Sequence, residues 1–449
     1  MLDQITEALR HCPGVHDWIV EHVSRTSTQY YLVADRLENA RTVRSETLVA
    51  EVMNDHGTPG GETRRGSGSI TLLPSDLPRL AHRLDEAVFM ASLVDNQPYS
   101  LPAPAPLPTV ASSDAATLAD PIKMAEQVAR ELQTTVSGGS DVRLSSAEVF
   151  IESASTELRN SRGIAAVKSG TEVFLDFVVI AASRGVEMES SVAVHRRRVR
   201  DLDAAAIARR YARYARDALT ARLPTTGRWP VLVTDEAAME LLAGNILFGQ
   251  ALPLTFRANA QAKYQQLSPL EIGQSIFGNT PITGDPLNVY SNSLLPYGLR
   301  TWAFDREGLA GHRLPIVENG SLTRWIADQR HADYLGIEAT GEFGNLEISA
   351  GSMPLAEMSR LSAPDERLIQ VVIWSFMTPD VVTCDFVGEI RLGYEITRDG
   401  KRPIKGGSVS GNLFAALAGA RFSQETALMG SYQGPMGVRL PGLTVSGAQ

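Results

Sequence analysis

The sequence has 449 residues, of which 43% are hydrophobic and 21% are charged. This composition is typical of a folded protein of two or three domains, and it excludes a disordered or fibrous chain. The 51 acidic residues outnumber the 42 Lys and Arg residues, and the resulting net charge of -9 disfavours nucleic acid as a main partner.

The sequence also carries no signal for export or for a membrane. No basic and apolar leader opens it, and no apolar run approaches the roughly 18 residues of a membrane span. The expected location is therefore the cytoplasm, without membrane contact. Cys12 and Cys384 lie far apart and neither belongs to a CxxC motif, so both are predicted to be thiols.

The first predicted module covers residues 1–108 and mixes strands with helices. Residues 29–33 have the composition of a strand, and residues 57–69 are Gly-rich and polar, which predicts a flexible hairpin tip. Residues 75–91 show the start signals and apolar stripe of a helix. Proline at every second position of residues 101–109 favours an extended connector, which predicts a domain boundary there.

The second predicted module covers residues 109–225. Asp120-Pro121 marks the start of a helix, and strand-like segments follow over residues 149–194. The module ends in a helix over residues 201–223. Its arginines are predicted to lie mainly on a solvated face, and they are Arg209, Arg210, Arg213 and Arg216.

The third predicted domain, residues 226–449, is rich in strands. Asn319-Gly320 and Asp399-Gly400 are dipeptides typical of two-residue hairpin turns. Residues 368–376 are nearly all apolar, which is typical of a strand covered on both faces. The expected fold class is α+β, with an N-terminal α/β-mixed lobe of two modules followed by a β-rich C-terminal domain that has a large, partly barrel-like sheet.

The sequence lacks the usual motifs of catalysis. None of the eight histidines begins an HExxH or HExxxH pattern, and neither a P-loop nor a GxGxxG motif occurs. No histidine follows His331, which excludes the chain order of an α/β-hydrolase for a serine in residues 406–411 (GGSVSG). Cys384 is next to Asp385, a neighbour that weakens a thiol nucleophile.

Several segments, in order, resemble the TldD/PmbA family, whose members are also called modulators of DNA gyrase. Residues 160–163 (NSRG) resemble the NSxG turn of that family, and residues 301–308 (TWAFDREG) resemble its FDDEG segment. Residues 383–386 (TCDF) resemble a TGDF-like stretch. The GGxxxGNL turn is matched at residues 406–413, and residues 440–447 (LPGLTVSG) resemble the usual terminus.

The resemblance is to the PmbA (TldE) branch of this family. In the TldD branch, a helix after the domain junction carries an LLHEAxGH-like sequence that supplies zinc ligands and a general base. The matching segment here is residues 241–249, in which Ala243 and Phe248 replace the histidines and Gly244 replaces the glutamate. The Cys-Gly of the TldD type is also missing from the matching residues 432–437.

The resemblance implies a dimer in which this chain pairs with a zinc-bearing TldD-type subunit to cleave unfolded or ribosomally made peptides. This chain would wall the cavity and bind the peptide, with no metal, cofactor or catalytic residue of its own. The candidate substrate-binding residues are Asn245, Phe304, Asp305, Glu307, Cys384, Asp385, Gly406 and Gly407.

Two alternatives stay open, namely a homodimeric peptide-binding protein without catalysis and an independent hydrolase with an unrecognised site. The acids Asp305 and Glu307 have the context of a surface turn, although paired acids on a loop could also orient a peptide amine. Arg306 replaces the second acid of FDDEG, which leaves the peptide specificity open.

Overall fold

The computed structural model describes residues 1–137, 141–244 and 252–447. Its helices are α1 (Leu2–His11), α2 (Leu80–Ser92), α3 (Ala115–Ala119), α4 (Pro121–Val136), α5 (Ala204–Ala218), α6 (Asp235–Ala243), α7 (Pro253–Arg257), α8 (Ala260–Tyr264), α9 (Gln329–Leu335) and α10 (Leu413–Leu417). Its strands are β1 (Asp17–Val33), β2 (Arg36–Gly57), β3 (Thr63–Leu72), β4 (Val142–Asn160), β5 (Ala165–Ser183), β6 (Val186–Arg196), β7 (Gly227–Thr234), β8 (Val289–Asn292), β9 (Arg313–Glu318), β10 (Ser321–Leu322), β11 (Asn345–Ile348), β12 (Leu368–Pro379), β13 (Asp385–Thr397), β14 (Gly400–Ile404), β15 (Ser408–Asn412), β16 (Arg421–Phe422), β17 (Thr426–Met429), β18 (Tyr432–Pro435) and β19 (Gly437–Ser446).

The N-terminal lobe is built on one six-stranded sheet in the order β3-β2-β1-β4-β5-β6. β1 pairs antiparallel with β2 on one side and with β4 on the other, so strands from both sides of the proline-rich connector lie in one sheet. The helices α4 and α5 cover one face and pack on alternate residues such as Val149, Leu175 and Phe177. The modules expected at residues 1–108 and 109–225 therefore share a sheet.

The opposite face of this sheet, which we call the open face, carries polar and aromatic side chains. Four rings lie in a row across β1, β4, β5 and β6, with successive centroids 5.3, 5.3 and 4.8 Å apart. They belong to Tyr31, Phe150, Phe174 and His195. Because side chains alternate between the faces of a strand, the same strands supply the apolar core under the helices and this different surface.

The Gly-rich segment 57–69 is not the flexible hairpin tip that its composition predicts. β2 ends at Gly57 and β3 begins at Thr63, so only the residues between them form the turn. Gly66 of β3 lies against α2, where an added Cβ would overlap the carbonyl oxygen of Ala91. Glycine allows the close packing of helix and strand here.

The C-terminal domain contains a closed barrel of five strands. β12 pairs with β7 and with β13, β19 joins β7 to β15, and β15 pairs with β13. Within β12, Val371 belongs to the core of this domain, whereas Val372 packs with the core of the N-terminal lobe. The strand predicted at residues 368–376 is thus covered on both faces. The expected α+β class and the partly barrel-like sheet are confirmed.

A second six-stranded sheet, in the order β10-β9-β8-β11-β18-β17, shares its core with the barrel. The predicted hairpin at Asn319-Gly320 joins β9 to β10. The hairpin between β13 and β14 turns one residue earlier than predicted, because Thr397 pairs with Gly400. Within the ranges given above, no helix is both long and apolar enough to span a membrane.

One arginine of α5 differs from the solvated face that the sequence predicts. Arg210 forms an ion pair of 3.1 Å with Asp235 and contacts Glu236, both in the first turn of α6. Carboxylates are favoured at a helix N-terminus, where the backbone N–H groups carry partial positive charge. Arg210 therefore ties the lobe to the start of α6.

Candidate functional site

Three neighbouring cavities, of about 270, 510 and 350 Å³, lie in or beside the contact between the N-terminal lobe and the C-terminal domain. Residues of both parts line the first and the third, whereas residues of the C-terminal domain line the second. The first includes Gly430, and the second includes Ser431, the next residue along the chain. The third shares Arg306 and Asp328 with the second. We call the three together the interdomain cleft, and its parts the first, middle and end cavities.

The middle cavity lies at the C-terminal end of α6. This helix directly follows the barrel strand β7, and the indole Nε1 of Trp374 donates a hydrogen bond of 3.2 Å to the carbonyl of Ala237 within it. Earlier residues of α6, such as Met239, line the first cavity, and Ala243 lines the middle one. The helix therefore forms a wall common to both cavities.

Part of the predicted site near α6 cannot be placed. Of the helix predicted over residues 241–249, the structure describes the part up to Gly244. The candidate Asn245 and also Phe248 lie outside the described residues.

The loop at residues 304–309 borders the end cavity and is anchored by Phe304. This ring is fully buried among residues of the open face that include Ile19 and Leu158. Lys168 Nζ donates a hydrogen bond of 2.8 Å to the carbonyl of Phe304 and lies 4.6 Å from the centre of its ring. The loop is thus fixed to the N-terminal sheet.

Asp305 determines the shape of this loop. Its Oδ1 accepts hydrogen bonds of 2.9 Å from the backbone N–H groups of Glu307, Gly308 and Leu309, as in a turn closed by an aspartate side chain. Its Oδ2 has no hydrogen-bond partner among the described residues, although Asp305 is only 1% exposed. Burial raises the pKa of Asp305 to about 6. Oδ2 faces Gly341, where a Cβ would lie 2.6 Å from it.

Glu307 and Glu51 both line the end cavity. Glu307 Oε2 accepts a hydrogen bond of 2.9 Å from the backbone N–H of Gln329, and burial raises the pKa of Glu307 to about 8. Burial also raises the pKa of Glu51 in β2, against the opposing effect of Arg306 and Arg330. These two carboxyl groups are half-buried acids with raised pKa values on a cleft, an arrangement that is frequent at functional sites.

The candidates Cys384 and Asp385 lie elsewhere. Cys384 lines a separate cavity of about 310 Å³ together with Arg257 and Asn412. Burial raises the pKa of the Cys384 thiol to about 11, so the thiol is un-ionised at neutral pH. Asp385 accepts a hydrogen bond of 3.0 Å from the side chain of Asn412.

Gly406 and Gly407 form the turn between β14 and β15, with φ angles of +74° and +72°. An added Cβ on Gly407 would overlap the carbonyl oxygen of Ser446 in β19, so this turn serves the closure of the barrel. Of the candidates within the described residues, only Glu307 lines a cavity of the cleft, and Phe304 and Asp305 are buried in the same loop.

The sequence patterns do not predict the side of the cleft that the N-terminal lobe supplies. Glu51 is the clearest example, because it is an acid among apolar residues in the strand segment VAEVM. An acid at such a position was a usable signal, since a half-buried strand alternates between apolar and polar residues. In the ranges that the structure describes, no group of three or more His, Cys, Asp or Glu side chains could hold a metal ion.

Comparisons with known proteins concern both the C-terminal domain and the whole fold. Residues 226–447 match the family model of the PmbA/TldA metallopeptidase C-terminal domain. Over 154 residues the chain is 28% identical to an uncharacterized protein of Methanocaldococcus jannaschii. This alignment covers 32% of the chain and 35% of that protein, so the chain spans about a third of the relative that it matches.

Solved structures share the fold over nearly the full length. TldE from Thermococcus kodakarensis superposes with a TM-score of 0.81 at 15% identity, over 99% of this chain and 100% of that one. A proposed modulator of DNA gyrase from Bacteroides thetaiotaomicron gives 0.81 at 18% identity, over 100% and 99%. A similar protein from Thermotoga maritima gives 0.78 at 15% identity, over 99% and 100%.

Proposed function

Because this chain belongs to the PmbA/TldD family, we propose that it is the TldE-type subunit of a heterodimeric peptidase whose TldD-type partner supplies the catalytic zinc. The observation that carries the proposal is the end of α6. At the position where a TldD-type helix has its first histidine, this chain has Ala243 in the wall of the middle cavity, followed by Gly244.

Ala243 and Gly244 cannot perform the chemistry of a zinc peptidase. Zinc ligation needs imidazole, thiolate or carboxylate groups, and activation of water needs a general base. A methyl group and a hydrogen atom supply neither. The role that remains for this chain is to hold and orient the peptide, with zinc expected in the partner and no cofactor of its own.

The first cavity offers a way to hold an extended peptide. β6 is an edge strand of the N-terminal sheet, and its residues 191–196 line this cavity. An edge strand presents backbone N–H and C=O groups that can pair with an added strand. Pairing through the main chain depends little on side chains, which suits unfolded peptides of varied sequence.

Co-expression with a zinc-bearing TldD-type chain tests the proposal. We expect a stable complex of the two chains that cleaves unstructured peptides, and no cleavage by this chain alone. Mass photometry would measure the stoichiometry and elemental analysis would locate the zinc. Equal peptidase activity of the partner in the absence of this chain would contradict the proposal, as would a homodimer that binds peptides and never joins a TldD-type chain.

A pair of alanine variants separates the cleft from general damage to the fold. Ala243→Phe narrows the middle cavity, so we expect the complex to assemble but to lose most of its peptidase activity. Ala116→Phe makes the same change at an exposed position of α3 and should keep the activity. Equal activity of the two variants would argue that the cleft of this chain does not contact the peptide.

A further inference from the structure

The first cavity, of about 270 Å³, borders the outer edge of β6. Residues 191–196 all line it. Because consecutive residues of a strand point to opposite faces of the sheet, the cavity meets the edge of β6 and not one face alone. Within the described residues, no strand pairs with this edge. A peptide that adds a strand to β6 therefore enters the first cavity.

The row of rings on the open face ends at the same edge. Tyr31, Phe150, Phe174 and His195 contribute one ring each from β1, β4, β5 and β6. Their centroid separations of 5.3, 5.3 and 4.8 Å are close to the roughly 4.8 Å between neighbouring strands. A strand added to β6 would therefore place one of its own side chains at the next position of the row, beside His195.

The imidazole of His195 is held in a fixed orientation at the end of the row. Its Nδ1 lies 2.6 Å from Oε1 of Glu172, and its ring centre lies 4.8 Å from that of Phe174. His195 also lines the first cavity. A side chain that enters the cavity meets a ring that is already oriented, which lowers the entropic cost of binding.

Other parts of the cavity wall carry polarizable apolar groups. Trp374 of β12, Met239 of α6 and Met429 of β17 line the cavity. The indole Nε1 of Trp374 already donates its hydrogen bond to the carbonyl of Ala237. Thioether sulfur atoms make favourable contacts with aromatic rings, and rings pack well edge to face on one another. This wall therefore favours an aromatic group over an aliphatic one of the same size.

Most charged groups of the wall whose contacts are known are held by other residues. Arg391 donates a hydrogen bond of 2.6 Å to Glu189, and Glu236 contacts Arg210. Asp176 differs, because within the described residues it forms no hydrogen bond or ion pair, and burial raises its pKa. The test below therefore includes a cationic side chain as a competitor of the aromatic one.

The volume of the first cavity suits a single ring. An apolar protein cavity of about 150 Å³ is enough to hold a benzene molecule. At about 270 Å³, the first cavity has room for a phenyl or indole group, while the backbone of the peptide lies along the edge of β6.

We propose that the first cavity is a pocket for an aromatic side chain of the bound peptide, at the position beside His195. The ring continues the row of the open face on one side and contacts Met239 and Met429 on the other. Main-chain pairing leaves most of the peptide sequence free, and this pocket selects the residue at one position. The inference rests on the proposed function, because the peptide of that function supplies the ring.

The test is calorimetric titration of the full-length chain with four unstructured peptides that differ at one position. This position holds phenylalanine, cyclohexylalanine, lysine or alanine. We expect the phenylalanine peptide to bind at least about ten-fold more tightly than the alanine and lysine peptides. Cyclohexylalanine has a similar size without the aromatic electrons, and its peptide should bind at least about three-fold more weakly than the phenylalanine peptide.

Met239→Gln tests the pocket from the side of α6. The change keeps the length of the side chain and replaces the thioether by an amide. Met239 is half-buried and glutamine is a good helix former, so α6 should still fold. We expect the preference for phenylalanine over alanine to fall by at least about three-fold. Met90→Gln makes the same change at an exposed position of α2 and should keep the full preference.

The titrations are repeated with the complex of both subunits, and the possible failures are distinguishable. Equal binding of the phenylalanine and alanine peptides would overturn this inference and leave the proposed function intact. Binding of the cyclohexylalanine or lysine peptide as tight as that of the phenylalanine peptide would overturn the assignment to an aromatic ring. A full preference in Met239→Gln would overturn the assignment to the first cavity. Absence of binding for every peptide, in the chain and in the complex, would overturn the proposed function and this inference with it.

Discussion

Glu395 is buried in the barrel and Glu307 is half-buried in the cleft, and the two glutamates have different hydrogen-bond and ion-pair partners. Glu395 is 1% exposed, and its oxygens accept hydrogen bonds of 2.7 Å from Arg402 and 3.0 Å from the backbone N–H of Thr225, with Arg367 also in contact. Among the described residues, Glu307 accepts a single hydrogen bond, of 2.9 Å from the backbone N–H of Gln329. The chain thus neutralises a buried carboxylate where it joins strands. Within the described residues it gives Glu307 no ion pair at the cleft, although the nearby Arg306 acts to lower the pKa of Glu307.

The largest effect that would sharpen this contrast is expected from Glu395→Ala. The change leaves two guanidinium groups and the N–H of Thr225 without their acceptor, so we expect the free energy of unfolding to fall by about 3–5 kcal/mol. Urea denaturation measures this change in the free energy of unfolding. Glu338→Ala, at an exposed position, should change it by less than about 0.5 kcal/mol. Equal losses in the two variants would remove the distinction between paired and unpaired acids.

The second effect concerns pH and Glu307→Gln. Glutamine can still accept the hydrogen bond from Gln329 but cannot ionise. Because the pKa of Glu307 is raised to about 8 in the folded chain, its stabilising contribution is fully present below the unfolded pKa of 4.5 and is lost as the pH rises through 8. As the pH rises from 4.5 to about 8, the free energy of unfolding of the glutamine variant should therefore increase relative to that of the unmodified chain, by up to about 1.4 kcal/mol per pH unit.

Urea denaturation of both chains at about pH 5, 7 and 9 measures this gain. The exposed variant Glu38→Gln serves as the control, and its difference from the unmodified chain should not change across the series. If the difference in free energy of unfolding between Glu307→Gln and the unmodified chain stays constant with pH, Glu307 is not an acid whose pKa is raised by folding.

A third effect tests the wall behind Asp305. Gly341 has a φ of +79°, and its Cβ would lie 2.6 Å from Asp305 Oδ2, so Gly341→Ala is expected to lower the free energy of unfolding by about 1–3 kcal/mol. Gly336 has a φ of +63° with open space around it, so Gly336→Ala reports the backbone strain alone. Thermal unfolding compares the two, and an equal loss would show that Oδ2 is not confined against Gly341.

The smallest effect is expected from Glu51→Gln in the absence of peptide. Its carboxyl group has no hydrogen bond or ion pair to lose within the described residues, so the free energy of unfolding should change by less than about 1 kcal/mol. Asp55 lies on the same strand and holds Arg65 with hydrogen bonds of 2.6 and 2.7 Å. Asp55→Asn should therefore cost clearly more. A larger loss for Glu51→Gln in denaturation experiments would mean that Glu51 supports the fold.

The sequence predicts elements that depend on local chemistry and misses those that depend on distant partners. The apolar strand at residues 368–376 and the Asn319-Gly320 turn follow from their own composition, and both are observed. Only residues 29–33 of β1 are predicted, although the strand begins at Asp17. Polar residues of the open face, such as Glu21, interrupt the apolar pattern there.

The same reason limits the prediction of the site. Residues 301–308 are found through a family resemblance, so the loop of Asp305 and Glu307 is anticipated. Glu51 is not, because only the packing of the 304–309 loop on the open face brings β2 to the cleft. Within the described residues, the middle cavity lies beside Ala243, a residue whose side chain gives no chemical signal.

The circular pairing of the barrel has a consequence for biosynthesis. β7 pairs with β12 on one side and with β19 on the other, so the barrel strand that is translated first pairs with the one that is translated last. The N-terminal sheet, in contrast, has all of its strands once Arg196 has been made. Non-local pairing of this kind is slow and leaves apolar strands exposed during synthesis. The barrel therefore closes only after Gly437–Ser446 has left the ribosome, and the buried face of β7 needs protection until then.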